Sequence, residues 1–481
     1  MYASSEGLDA SGMLRRAMSV VESAALSTEE GLRRNLLPRQ IAMMAMGSAI
    51  GVGLFLGSTV TIRLAGPGVI LTYAVGALIA IVMGYALAEM AVVHPVAGSF
   101  GVFADRYLSS WAGFVVRATY AFVQILAIGA EVTAVGIYFA FWFPGVPSWV
   151  WVVGMAAALV AINTAQVKVF GELEYWFALI KVTAIVAFIA VGLAFLTGIG
   201  PWPASGFQNL VDGPGGFLPH GWRGVWLALT LVITSYMGVE AIAVSAGEAR
   251  NPQSSIPRAM RSLVLRLILF YVLAVTLMLV MSPWNQLAEG GGGVTGSPFV
   301  RAFAAVGIPH AAGAMNLVVI SAAASSANSN LYMTARMLLS LAKSGYAPRS
   351  LGAVSRGGVP LPAVAAASTG VVAAILLAVY APANAFLALY GTAVAGMLFI
   401  WVVILVTYLR FRKSLTAEQL ARLPIRMPAH RAAAVFGIAS LIAIAATSFF
   451  VEGLQYSVVS FLPFLALMSI VYARRRRDTD A

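Results

Sequence analysis

Long apolar runs recur along the whole chain, and no other feature limits the possible folds as severely. A bilayer core of about 30 Å needs ~20 predominantly apolar residues for each helical crossing. Twelve such segments occupy residues 41–62, 69–93, 112–142, 148–166, 174–197, 224–247, 263–282, 311–335, 360–381, 385–409, 432–451 and 454–473. Only 10% of the residues are charged and 60% are hydrophobic, against about 25% charged in soluble domains. An all-α integral membrane protein of twelve transmembrane helices is expected. A β-barrel would alternate polarity over short segments, and the chain has no such pattern.

Basic residues set the expected orientation, because loops on the cytoplasmic side carry the excess of Lys and Arg. With the N-terminus inside, 25 of the 30 Lys and Arg residues fall on the inner side. Arg63, Arg223 and Arg301 fall outside, and Arg117 and Lys181 lie within spans. Both termini are therefore expected in the cytoplasm. The net charge of +12 reads as this topology signal and as attraction to anionic membrane lipid, with no nucleic-acid partner expected. Cysteine is absent and the four histidines are scattered, so neither a disulfide framework nor a metal or other cofactor is expected. Residues 1–40 lack an apolar core and contain Arg15, Arg16, Glu22, Glu29 and Glu30. They read as a cytoplasmic tail, not as a cleavable signal, and residues 474–481 read as a basic cytoplasmic C-terminus.

Within lipid, irregular backbone is tolerated only where protein buries it or where it lines a cavity. The first span nevertheless holds GSAIGVGLFLG, Gly47 to Gly57, with four glycines, and the sixth holds SYMGVEAIAVSAGE, Ser235 to Glu248. One reading is close helix packing, since Gly47 with Gly51 and Gly53 with Gly57 have small-xxx-small spacing. The other is a pair of helices interrupted at mid-membrane. An interrupted helix exposes free amides at one end and free carbonyls at the other, with opposite partial charges of about half a unit. The main chain then becomes a receptor for a zwitterion. The two candidate breaks lie five spans apart. A unit with an odd number of spans, repeated once, enters the membrane from opposite sides, which points to inverted repeats around a midplane site.

The stretches GSAIGVGLF in the first span, GELEYWFALIKV in the fifth, GVEAIAVSAGEARNPQSSIP from the sixth and ANSNLYMTARMLLSLAKSGYAP through the eighth carry a resemblance. Over roughly residues 36–470 the chain resembles the amino acid permeases of the amino acid-polyamine-organocation superfamily, specifically its bacterial amino acid transporter family. The resemblance implies a LeuT-like five-plus-five inverted repeat with helices 1 and 6 broken. The transport core would be 41–409, with repeats at 41–197 and 224–409, followed by two additional helices at 432–473. It implies proton-coupled movement of an amino acid across the bacterial inner membrane. Carried over by position, the substrate carboxylate falls on amides around Val52, Gly53 and Leu54, and the ammonium on carbonyls near Ala49 and Thr234, Ser235 and Tyr236. Many family members have Thr where this chain has Val52, so one hydroxyl contact is missing. Lys181 takes the place of a sodium ion in related carriers, facing first-span carbonyls and the hydroxyls of Ser325, Ser326 and Ser329.

An ionisable residue inside a span is a functional hypothesis by default. Lys181, about seven residues into the fifth span, is a proton carrier, a fixed cation, or a side chain that snorkels to the surface. Glu131 in the third span has two readings, a structural pair or a contact to substrate or proton. Resemblance to exchangers gives Glu240 a role in proton sensing or gating, and the plainer reading is a carboxylate that holds the unwound segment through backbone amides. Arg117 is expected to snorkel or to pair with a carboxylate such as Glu89. Glu172, Glu174, Glu248 and Arg250 flank span ends, where charges meet water, and receive no chemistry. Trp149, Trp151, Trp222 and Trp226 suit the membrane interface. Tyr236 is placed to close over a substrate, Tyr390 and Thr392 are candidates for an outer gate, and Gly290 to Gly293 form an external connection.

Neither G-x-x-x-x-G-K-[ST] nor H-E-x-x-H occurs, which argues against ATP energising and against an intramembrane metalloenzyme. The expected function is proton-coupled uptake of an α-amino acid by alternating access. The alternatives are a proton-sensitive amino acid or polyamine exchanger, and a non-transporting amino acid sensor.

Overall fold

The computed structural model describes residues 40, 43, 51–55, 57–96, 98–164, 167–201, 204–249, 251–289, 297–305, 307, 310–380, 385–451 and 454–480. The described residues are helical throughout their regular structure and contain no strand. The first span supplies α1 (Val52–Phe55) and α2 (Gly57–Ala65), and α3 (Val69–Val93) follows. Next come α4 (Ser99–Tyr107), α5 (Ser110–Phe139), α6 (Ser148–Thr164) and α7 (Val167–Thr197). The second half holds α8 (Gly221–Val232), α9 (Ala241–Val244), α10 (Pro252–Arg266), α11 (Ala274–Met281) and α12 (Ala311–Lys343). It ends with α13 (Leu361–Ala367), α14 (Thr369–Tyr380), α15 (Ala385–Ser414), α16 (His430–Thr447) and α17 (Gln455–Asp480).

Local chemistry sets several of these ends. The Ser109 hydroxyl accepts the Ala112 N–H at 3.2 Å, which satisfies one of the orphan amides at the start of α5. Pro252 opens α10, where a missing N–H costs nothing.

Nine helical runs among the described residues are long and apolar enough to cross a membrane, and the difference from twelve arises at three places. The run Gly53–Val93 joins the first two segments, and Ser148–Thr164 is a shorter apolar helix. The third case, α12, is too polar to qualify because it carries Asn316, Ser325, Ser326, Asn328, Thr334 and Arg336, all buried inside the protein. Crossing the bundle, α12 packs against α5, and α5 also meets α15, α14 and α6. The polar residues of α12 therefore face protein where lipid would penalise them.

The sixth span is broken. The α-helix stops at Val232, a 3-10 turn covers Ile233–Tyr236, Met237 is extended at φ −57 and ψ 144, and α9 begins only at Ala241. Gly238 makes the turn at φ +104, a region that residues with a Cβ rarely enter. In the first span, Gly51 is a bend and α1 starts at Val52. Residues 44–50, including Ala49, lie outside the described residues. The two spans lie together: α2 packs on α8, and α1 lies against the Ile233–Tyr236 turn.

The buried charges at the ends of these helices pair differently from the expectation. Arg117 does not reach Glu89. It lies 3.5 Å from Asp105 and donates to Gly113 O (2.9 Å), Ser340 Oγ (3.2 Å) and Ser344 Oγ (2.8 Å). The reason is that α4, which bears Asp105, packs directly on α5. Glu89 instead accepts from Tyr408 Oη (2.9 Å), Arg412 Nη1 (3.0 Å) and the Met427 N–H (2.5 Å), and so ties α3 to the end of α15 and the segment beyond it. Beside this tie, His94 Nε2 lies 2.6 Å from Tyr107 Oη. Burial, with Arg106 alongside, pushes His94 down to about 4, so it is a neutral hydrogen-bond partner at physiological pH.

Removing one member of a buried charge pair strands the other at a cost of about 3–5 kcal/mol. Glu89→Ala is therefore expected to lower the melting temperature markedly in detergent, and an unchanged melting curve would contradict the assigned anchoring.

Candidate functional site

A cavity of about 30 Å³ lies where the broken sixth span meets the first. Gly51 and Gly53 line one side and Thr234, Ser235 and Met237 another. Gln124, Ala127 and Glu131 come from α5, and Ser326 and Asn330 from α12. The α5 residues are spaced 3 and 4 apart and the α12 residues 4 apart, which puts each set on one helical face. Sequence reasoning missed Gln124, Ala127, Met237 and Asn330. For Gln124, Ala127 and Asn330 the helical faces of Glu131 and Ser326 were the signal available, and Met237 lies on neither face.

Glu131 is the charged group of the cavity wall. Ser326 Oγ donates to its Oε1 at 2.8 Å. A Cβ on Gly51 would sit 2.7 Å from that Oε1 and 2.7 Å from Ser326 Oγ, so only a glycine backbone approaches this pair so closely. Across the cavity, Gln124 Nε2 donates to Asn330 Oδ1 at 3.0 Å and lies 3.2 Å from Tyr120 Oη. The amides of Val52, Gly53 and Leu54 belong to the first turn of a helix, where α-helical geometry leaves N–H groups without a partner within the helix. Leu54 itself is fully buried and does not line the cavity.

The turn in the sixth span is held from outside the cavity. Tyr271 Oη donates to Ser235 O at 2.8 Å from a π-helical turn, Leu267–Leu273. Such turns are frequent at functional sites. Thr234 Oγ1 donates to Leu231 O at 2.5 Å. Tyr236 does not lie over the cavity. Its ring packs 4.6 Å from that of Tyr271 and 6.3 Å from that of Tyr73, and its hydroxyl donates to Tyr73 O at 2.7 Å. Glu240 is fully buried. It accepts the Gly238 N–H at 2.7 Å and the indole N–H of Trp401, so it fixes the irregular backbone.

Lys181 is fully buried and donates to Ser325 Oγ at 2.8 Å. Ser325 in turn donates to Glu174, whose second oxygen accepts from Asn328 Nδ2 at 3.1 Å. Two carboxylates expected at the water boundary are thus inside the protein, Glu174 and Glu248, both fully buried. Glu248 holds Arg336 Nε at 2.8 Å and Tyr332 Oη at 2.7 Å. Arg336 also lies 3.7 Å over the Tyr332 ring, which stacks on Phe170 at 4.4 Å. Glu172, half-buried, accepts from Gln40 Nε2 at 3.4 Å. Ser329 is buried on α12 and does not line the cavity. The side chains of Val52, Tyr390 and Thr392, together with Arg250 and Gly290 to Gly293, lie outside the described residues.

The amino acid permease family matches residues 40–478. An uncharacterized amino acid permease of Bacillus subtilis, YtnA, is 40% identical over 93% of this chain and 96% of its own length. The aromatic amino acid transport protein AroP of Escherichia coli K12 is 40% identical over 83% of this chain and 86% of its own. AroP of Salmonella typhimurium LT2 is 39% identical over the same shares.

The crowding at Gly51 gives a direct test of the site. Overpacking a filled site costs typically about 1–3 kcal/mol, so Gly51→Ala is expected to displace Glu131 and Ser326. It should weaken ligand-induced thermal stabilisation by roughly tenfold or more in ligand concentration. Unaltered ligand affinity in that variant would show that the Gly51–Glu131 contact is not part of the binding site.

Proposed function

The chain belongs to the amino acid permease family, a family of transporters and not of enzymes, and from that premise we propose that it carries an α-amino acid inward with a proton. In this reading it is a multi-pass secondary transporter of the bacterial inner membrane with both termini in the cytoplasm. Two inverted repeats, 41–197 and 224–409, alternate access around the first and sixth spans. The observation that carries the reading is the cavity bounded by Gly51, Gly53, the irregular Thr234–Met237 backbone and Glu131. It offers main-chain dipoles and one carboxylate to a small dipolar solute, and no nucleotide motif supplies another energy source.

The substrate carboxylate lies on the amides of Val52, Gly53 and Leu54. The ammonium lies toward Glu131 and the carbonyls of the sixth-span turn. Glu131, the one carboxylate among the described residues of the wall, favours neutral side chains over acidic ones, because a second buried carboxylate close by is strongly disfavoured. One water needs at least about 10–15 Å³ of such volume, so 30 Å³ is room for roughly two waters. Entry of an amino acid side chain therefore requires the wall of Met237, Ala127 and the Gln124–Asn330 pair to open. The relatives named for aromatic amino acid transport make phenylalanine, tyrosine and tryptophan the first candidates. Lys181, held on Ser325, is the proton carrier, and Glu240 sets the gate by fixing the Gly238 turn.

Uptake into proteoliposomes under an imposed proton gradient tests the proposal. Wild type accumulates substrate without substrate inside the vesicle, whereas a strict exchanger requires it and a sensor accumulates none. Lys181→Ala is expected to keep ligand-induced stabilisation and to lose gradient-driven accumulation. Undiminished accumulation in that variant rejects the role of the lysine.

A further inference from the structure

Glu174 is used by nothing described so far. It is fully buried, two helical turns before Lys181 on α7. Residues seven apart share one helical face, and at 1.5 Å per residue the separation along the axis is about 10 Å. Both side chains meet the same hydroxyl. Lys181 Nζ donates to Ser325 Oγ at 2.8 Å and Ser325 donates to Glu174 Oε1, so the serine stands between cation and carboxylate as a hydrogen-bonded bridge.

The other hydrogen-bond partner of Glu174 among the described residues is a neutral amide. Asn328 Nδ2 donates to Oε2 at 3.1 Å. Asn163 Nδ2 donates to Asn328 Oδ1 at 2.7 Å and to Leu159 O at 3.0 Å, which fixes the Asn328 amide with its nitrogen toward the carboxylate. Glu174 differs here from Glu248 and Glu89, which hold Arg336 and Arg412 directly. A guanidinium does not give up its proton, so those two pairs are fixed. A lysine does give up its proton when buried, and Glu174 and Glu131 are the two carboxylates whose charge acts on Lys181.

We propose that Glu174 receives the proton from Lys181 through Ser325 and passes it toward the cytoplasmic end of α7. The inference rests on the proton-coupled reading of Lys181. In the transfer, an N–H bond of the ammonium breaks and its proton binds the Ser325 oxygen, while the Ser325 O–H breaks and its proton binds Glu174 Oε1. A cation and an anion become a neutral amine and a neutral acid, with the serine restored, one proton moved from lysine to glutamate and the total charge of the pair unchanged. Two opposed charges in a low-dielectric interior are expensive, so the neutral pair is an accessible alternative to the ion pair. The start of α7 is the cytoplasmic end in the orientation set by the basic loops. The backbone of Glu174 therefore lies about two turns nearer the cytoplasm than that of Lys181, while the two side chains converge on Ser325, which gives the proton a direction.

The test compares wild type, Glu174→Gln and Ser325→Ala in proteoliposomes under a proton gradient. Glu174→Gln keeps an acceptor for Ser325 and removes the titrating group. It is expected to retain ligand-induced stabilisation, to lose gradient-driven accumulation by at least tenfold, and to flatten its pH profile. Combined with Lys181→Ala it should be no worse than either change alone, as for two members of one relay. Wild-type uptake that ignores the gradient would defeat the proton-coupled reading itself. Gradient-dependent wild type with undiminished accumulation and an unchanged pH profile in Glu174→Gln would overturn this inference alone. If Glu174→Gln does not fold, infrared difference spectra of wild type and Glu174→Asp decide between the outcomes. A protonated carboxylic acid band that appears with acidification and moves in the Asp variant supports the transfer, and a band insensitive to position 174 overturns it.

Discussion

Everything in this protein that is not plain helix depends on one constraint: a backbone amide or carbonyl within the bilayer must have a partner. The interruption at residues 233–240 meets it with side chains from three directions. Glu240 takes the Gly238 amide, Tyr271 donates to the Ser235 carbonyl, and Trp401 of α15 holds Glu240 in place. Tyr236 and Tyr73 complete an aromatic wall behind the turn. The groups on the cavity side are thereby left for a solute, and a helix that is costly to break becomes a receptor.

A second consequence is the character of α12. A helix lined with serine and asparagine does not pass through lipid cheaply, yet the central position against α5 and α7 gives each polar face a partner. One face, Ser326 and Asn330, borders the cavity, and the adjoining one, Ser325 and Asn328, reaches Lys181 and Glu174. Ser325 and Ser326 are neighbours in sequence that serve different networks, one around Lys181 and the other around Glu131. The substrate cavity and the buried lysine thus share a helix, which gives a physical route by which occupancy of one can alter the other.

Much of this was legible from the residues alone. The stretch Ser235 to Glu248 held the break in the sixth span, and Lys181 stood out as a charge with no reason to be in an apolar run, whereas Ser326, expected beside Lys181, pairs with Glu131 on the cavity wall. What was not legible is where helices end. The apolar pattern begins the fifth span at 174, whereas α7 begins at Val167, so Glu174 is two turns inside the protein and not at its edge. The eighth apolar run closes at 335, whereas α12 continues to Lys343, which carries Arg336 in to meet Glu248. Hydropathy reads a charge as a boundary, and a buried pair lets the helix continue past it. The Arg117–Asp105 pairing was hidden for a related reason, since choosing between Asp105 and Glu89 depends on which helices pack together.

The account stands on the cavity between the first and sixth spans being where the amino acid sits. The chain has no cysteine, so a single thiol at Ala127, on the α5 wall, reports on that space without background. With Ala127→Cys in membranes, saturating substrate should slow labelling by a small polar thiol reagent severalfold while a non-substrate leaves the rate unchanged. Equal labelling with and without a transported amino acid would place the substrate elsewhere and contradict the account.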